Sequence, residues 1–185
     1  MKTASIFLIT GGLLLYGCGQ DAASKEAEAR VTASIQQTLG TTNTTYVNEV
    51  HTWYQSDVPN LIKLHPKTES IYQTHAAILQ EVAINEPKLV KRPIVTADQA
   101  QGISAKYKQL VDESAARVQE LSALATSKTT MSEAEQLKYV SDLADKQTHH
   151  LALVRYYTKR TDAAITQREQ KQKHSKYMRE TWGLE

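Results

Sequence analysis

From Ser132 to Glu180 the chain contains neither glycine nor proline. The run offers no backbone break, and it is rich in Ala, Leu, Gln, Lys and Glu, which are strong helix formers. It opens on Ser132-Glu133-Ala134-Glu135, where a serine hydroxyl and a glutamate three residues on can cap a first turn reciprocally. The expectation is a single helix of about 49 residues, roughly 70 Å long. Within it Leu137, Val140, Ala144, Gln147, Leu151, Val154, Thr158, Thr161 and Ile165 recur at alternating steps of three and four. This is a heptad seam with polar residues at Gln147, Thr158 and Thr161, and such positions weaken packing. The seam therefore invites a partner, an envelope protein or a second copy of the chain, or else partial exposure. Past Ile165 the apolar stripe ends, so residues 166–179 should project from the bundle or fray.

A second long helix precedes this one. Thr96-x-x-Gln99 matches a capping box, and Ile103, Tyr107, Leu110, Val111, Val118, Leu121 and Leu124 supply a buried face. Lys128-Thr129-Thr130 reads as a short turn, so the last two helices should pack as an antiparallel hairpin. Further upstream, Val31, Ile35 and Leu39 recur every four residues in a segment rich in Ala, Glu and Lys, which ends at Gly40 and a polar run to Thr45. A helix over 46–56 would place Tyr46, Val50 and Trp53 or Tyr54 on one face, with Trp53 in the core or as a wedge between helices. Another over 68–85 would align Ile71, His75, Ile78, Leu79 and Val82. Asn85 to Thr96 holds Pro87 and Pro93, and a residue before proline is pushed away from the helical region, so this stretch reads as an extended connector.

Length allows one ordinary domain. Seven Gly and four Pro are too few for a many-turned β protein, and the single phenylalanine, Phe7, lies in the leader. The fold class that follows is all-α: an elongated antiparallel helical bundle with a long, coiled-coil-like C-terminal hairpin. A net charge of +2 with 23% charged residues argues against a nucleic-acid-binding chain as a whole, and nucleic acid is not expected as a partner.

The amino terminus reads as a targeting segment. Lys2 gives a positive start, and Ala4 to Gly17 is apolar or small throughout. As a helix that run reaches about 21 Å, short of the ~30 Å hydrocarbon core of a bilayer. A signal peptide fits better than a spanning anchor. It ends Leu15-Tyr16-Gly17-Cys18, which resembles the lipobox of bacterial lipoproteins and holds the only cysteine. The resemblance implies a diacylglyceryl group on Cys18, cleavage just before it and acylation of the new terminus. It also implies an outer-membrane lipoprotein facing the periplasm or the cell surface, since residue 19 is Gly and not Asp. With no second cysteine, no disulfide can form within the chain. The chain accordingly divides into a signal peptide (1–17), a lipid-anchored tether with a helical segment (18–45) and a helical bundle domain ending in a basic helix (46–185).

No enzyme signature is present: no G-x-S-x-G, H-E-x-x-H, P-loop or dinucleotide fingerprint. Adjacent His149 and His150 point about 100° apart on a helix and cannot grip one zinc ion together, and His51, His65, His75 and His174 lack ligand spacing. All are expected at the surface or half-buried, and neither a metal nor another cofactor is implied. Asp112-Glu113 reads as a solvated face, and Glu133 with Glu135 as a first turn favoured by the helix dipole. The expectation is a binding protein and not an enzyme.

The basic end is the main candidate surface. Arg155 to Arg179 carries eight Lys or Arg against Asp162 and Glu169, and the cations surround the helix. Arg168, Lys171, Lys173, Lys176, Arg179 and the terminal Trp182 are the residues expected to meet an acidic partner, although a merely solvated basic helix would have the same composition. The last sixty or so residues, above all Leu143 to Leu153, Gln167-Arg168-Glu169 and Trp182-Gly183, resemble the C-terminal hairpin of TrbJ-type minor pilus subunits of conjugative type IV secretion systems. That resemblance implies an exported helical-bundle component or accessory of a secretion or conjugation machine, whether pilus-associated, pilotin-like or entry-excluding. The chain departs from the family in its short length, its lipobox and its unmatched N-terminal half. The alternative is a stand-alone outer-membrane lipoprotein, a cell-wall spacer, a ligand binder or a stress-related periplasmic factor.

Overall fold

The computed structural model describes residues 15–40, 44–126 and 131–183, and of residues 15–21, 125 and 126 only the backbone. Most of the expected signal peptide, the Cys18 side chain and the turn at 128–130 lie outside the described residues. Six helices make up the described chain: α1 (Leu15–Leu39), α2 (Thr44–Gln55), α3 (Asn60–Lys63), α4 (Pro66–Val90), α5 (Ala97–Thr126) and α6 (Glu133–Trp182). The chain is all-α, a helical bundle of long packed helices.

Local chemistry sets most boundaries. Gly40, at φ 78°, ends α1 in the left-handed conformation that glycine adopts without strain. Pro66 sits in the first turn of α4, where its missing N–H costs nothing, and the His65 side chain accepts from the Lys67 N–H. Both expected capping boxes form: Thr96 with Gln99, and Ser132 with Glu135 at the start of α6. The latter helix is 50 residues long.

The extended connector expected at Asn85–Thr96 is not what forms. α4 continues through Pro87 to Val90, and only Lys91 to Thr96 turn the chain. Pro87 lies in the last turn of α4 on an exposed face, where the carbonyl it leaves unbonded, that of Ala83, is near solvent. Carrying the helix three residues further buries Leu89 at 3% exposure in the core. Apolar burial thus outweighs one lost backbone bond. Pro93 then occupies the second position of a turn closed by Val95 N–H to Arg92 O at 2.9 Å.

Two apolar clusters lie along α4, α5 and α6. The first joins Ile71, Tyr72 and Ala76 of α4, Leu121 and Leu124 of α5, and Val140, Leu143 and Ala144 of α6. Ala27, Val31 and Ile35 of α1, Tyr46, Val50, Trp53 and Tyr54 of α2, Val58 between α2 and α3, and Ile62 of α3 complete it. The segment expected as a tether, 18–45, therefore contributes three residues to the core. The second cluster holds Ile78, Val82, Leu89, Ile103, Tyr107, Leu110, Val154 and Ile165, from α4, α5 and α6 alone. Along α4 and α6 the chain runs from the first cluster to the second, and along α5 it returns, so α5 is antiparallel to both.

Candidate functional site

The last buried side chain of α6 is Ile165. At that level Arg92, from the turn between α4 and α5, reaches across to α6. Its guanidinium donates to Asp162 Oδ1 at 2.5 Å, to Thr166 Oγ1 at 3.1 Å and to both Glu169 oxygens, Oε1 at 2.9 Å and Oε2 more closely. The hydrogen bonds from Arg92 hold the Glu169 carboxyl below the usual carboxylate range. Asp162 and Glu169 are the only acids between Arg155 and Arg179, and one arginine occupies both. Arg168 is exposed and tied to the same turn, donating to Gln99 Oε1 at 2.9 Å and to Ile94 O at 3.4 Å.

Beyond Glu169 the helix does not fray. It continues to Trp182 and closes on Gly183, at φ 60°, whose N–H bonds to Arg179 O. Every described residue from Gln170 on is exposed except the half-buried Met178. Lys171, Lys173, Lys176, Arg179 and Trp182 therefore stand clear of the bundle, and Trp182 is 67% exposed. Glu180, 3.6 Å from Lys176, is the one acid among the described residues there. At about 100° per residue, Arg168, Lys176 and Arg179 fall within about 60° of the direction of Ile165. The side of α6 that faces the bundle thus runs on past it with cations in place of aliphatic residues. Lys171 and Trp182 flank this strip on one side and Lys173 on the other.

The two ends of the molecule are far apart. Arg30 on α1 is level with Glu69 on α4, at 3.8 Å, and Lys67 is level with Asp145 on α6, at 2.7 Å. Thr38 O accepts from Gln80 at 2.7 Å, so α1 runs parallel to α4 and its first turn, with Cys18, lies at the end opposite Trp182. Twelve residues of α1 below that level and 37 of α6 above it put Cys18 and Trp182 about 70 Å apart along the axis.

Between the two apolar clusters lies a polar layer that the histidine spacing did not reveal. His75 of α4 and His150 of α6 are buried at 6% and 2% exposure, with Ser114 and Gln147 fully buried beside them. This corrects the expectation of surface or half-buried histidines; His149 is exposed. Gln147 Nε2 donates to Ser114 Oγ at 2.5 Å, and Ser114 Oγ is 2.7 Å from His75 Nδ1. His150 Nε2 is 2.7 Å from Leu110 O, and a carbonyl only accepts, so that nitrogen carries the hydrogen. Glu113 stands 3.8 Å from His150 Nδ1, and the Tyr46 ring meets His75 edge-on at 5.0 Å. Burial first, and then repulsion from His150, lower the His75 pKa to about 4. The helical periodicity does show His75 and Gln147 among core positions, but their partners are 39 and 33 residues away in sequence.

Among the described residues no group of three or more His, Cys, Asp or Glu could hold a metal ion, and no helix is long and apolar enough to cross a membrane. Set beside known proteins, the chain matches no family model, no curated protein and no solved structure.

Proposed function

We propose that this is a lipid-anchored protein of the bacterial cell envelope that works by contact, holding the basic end of α6 away from the membrane for an acidic protein partner. The observation that carries the reading is the continuation of α6 past its last buried residue, with Lys171, Lys173, Lys176, Arg179 and Trp182 all exposed. The position of Cys18 supports it: an acylated terminus at the opposite end would leave these residues about 70 Å from the lipid. Several acyl chains, at about 0.8 kcal/mol per buried methylene, would hold the protein stably on a leaflet. Secretion or conjugation machinery is the partner class we favour, on the likeness of the last two helices to TrbJ-type subunits.

The test places a photo-crosslinking amino acid at 176 or 182 in cells that make the protein, with 142 on the bundle wall as control. An adduct with an envelope protein from 176 and 182, absent from 142, is expected. Equal labelling at all three sites, or recovery of no secretion component from intact membranes, would count against the reading. Cys18→Ala should move the protein out of the membrane fraction. A second reading, a stand-alone spacer or ligand-binding lipoprotein of the outer membrane, draws on the 50-residue length of α6. Co-sedimentation with purified peptidoglycan separates it from the first.

A further inference from the structure

The bundle ends in a step. α4 and α5 stop at the turn 91–96, while α6 runs on beside it. Arg92 of that turn reaches Asp162 and Glu169, and Arg168 reaches back to Gln99 and Ile94 O, so the turn lies on the side of α6 that Ile165 faces. The ends of α4 and α5 thus form a floor, and the bundle-facing side of α6 beyond them forms a wall. From Gln170 to Trp182 the wall rises about 20 Å. Packed helices lie about 8–10 Å apart, so the floor extends at least one helix width from α6. A hollow of about 630 Å³ lies against the wall, lined by Gln172, Lys173, Ser175, Lys176, Arg179 and Glu180. All six are exposed, and all fall within about 80° of the direction of Ile165.

Charge and shape together narrow the occupant. The acids nearest the corner, Asp162 and Glu169, are both engaged by Arg92, while Arg168 bonds uncharged groups of the turn. Exposed Lys91 and Asp98, at the ends of α4 and α5, offset each other on the floor. The wall keeps Arg168, Lys173, Lys176 and Arg179 against Glu180, and so carries an excess of positive charge. Along it Arg168, Gln172, Lys176 and Arg179 follow at steps of four, four and three, over about 16 Å. A helix lying alongside, with carboxylates at steps of three and four, meets these groups in turn. Such a helix is about 10–12 Å across and fits the step. A flat lipid surface brought against the wall meets the floor first and touches only the tip. Building on the contact function proposed above, we infer that the step receives an acidic helix of a partner protein, laid along α6 with one end on the α4–α5 turn.

The purified full chain is titrated with an acetylated, amidated peptide of about 15 residues of Glu and Ala, long enough to span the wall, with glutamates every three or four positions. Saturable one-to-one binding with a gain of helical circular dichroism is expected, weakening as salt is raised. Lys176→Glu with Arg179→Glu reverses charge on the wall. Arg160→Glu with Lys171→Glu makes the same change on the far side of α6, at least about 120° from Ile165. All four side chains are exposed, so the melting temperature should be unchanged in both pairs. The first pair should weaken the peptide about tenfold or more and the second about twofold or less. Phosphatidylglycerol vesicles and a DNA duplex, run in parallel, should show no such preference between the pairs. Absence of saturable peptide binding, equal losses in the two pairs, or the same preference with vesicles or duplex would each overturn the inference. Equal losses together with a crosslinked envelope protein at 176 in cells would leave the contact function standing and remove the acidic helix alone.

Discussion

The two parts of α6 form one continuous helix and behave differently. Residues 133–165 pack Val140, Leu143, Ala144, Gln147, His150, Val154 and Ile165 against α4 and α5, while 166–182 keep the same helix with no buried side chain. Helicity in the second half comes from propensity, from the absence of Gly and Pro, and from extension of a helix already nucleated below. Burial in the first half comes from a stripe that meets partners. A continuous helix is therefore no guide to which of its parts is core and which is exposed.

The sharpest way to break this contrast is to delete packing in one half and charge in the other. Leu143→Ala, at 2% exposure, should cost about 2–5 kcal/mol in urea unfolding. Acid tests the polar layer next. The His75 pKa is near 4 in the folded protein against 6.5 unfolded, so the unfolded chain binds more protons between those values. Stability is then full above pH 6.5 and falls by up to about 3 kcal/mol as pH drops to 4. His75→Asn keeps an acceptor near Ser114 Oγ and should flatten that part of the stability–pH curve; an unchanged slope would remove His75 from the account. Smaller is the cap. Ser132→Ala should cost about 1 kcal/mol and loosen the first turn of α6, read by hydrogen exchange at 133–136. Smallest are Lys176→Ala and Trp182→Ala in the projecting half, each within about 0.5 kcal/mol of the parent in stability. If either of these destabilises the fold substantially, the projecting half is packed against something and the contrast fails.

Arg92 marks the border between the halves, and nothing local to it shows this. Its partners Asp162, Thr166 and Glu169 are 70 to 77 residues away. Arg92→Ala should speed amide exchange at 162–169 while leaving exchange in the first cluster unchanged.

Much of the fold was legible because the information was local. Both capping boxes, the faces of α2 and α5, the length of α6 and the exposure of its basic end follow from spacing over a few residues. The path of α4 through Pro87 was not legible, since the rule for proline is local and the reward, burial of Leu89, is not. Nor was the polar layer: His150 in sequence is simply the neighbour of exposed His149, and its acceptor is Leu110 O, 40 residues upstream.

The sequence by itself therefore determined that this chain is helical, where its longest helices begin, and which end carries an excess of positive charge, because propensity, capping and periodicity act within a turn or two. The tertiary structure alone decided that α1 joins the core, that two histidines are drawn into a buried polar layer, and that Arg92 claims both Asp162 and Glu169. Those features arise where side chains from distant segments compete for the same buried space, and that competition is settled only when the helices pack.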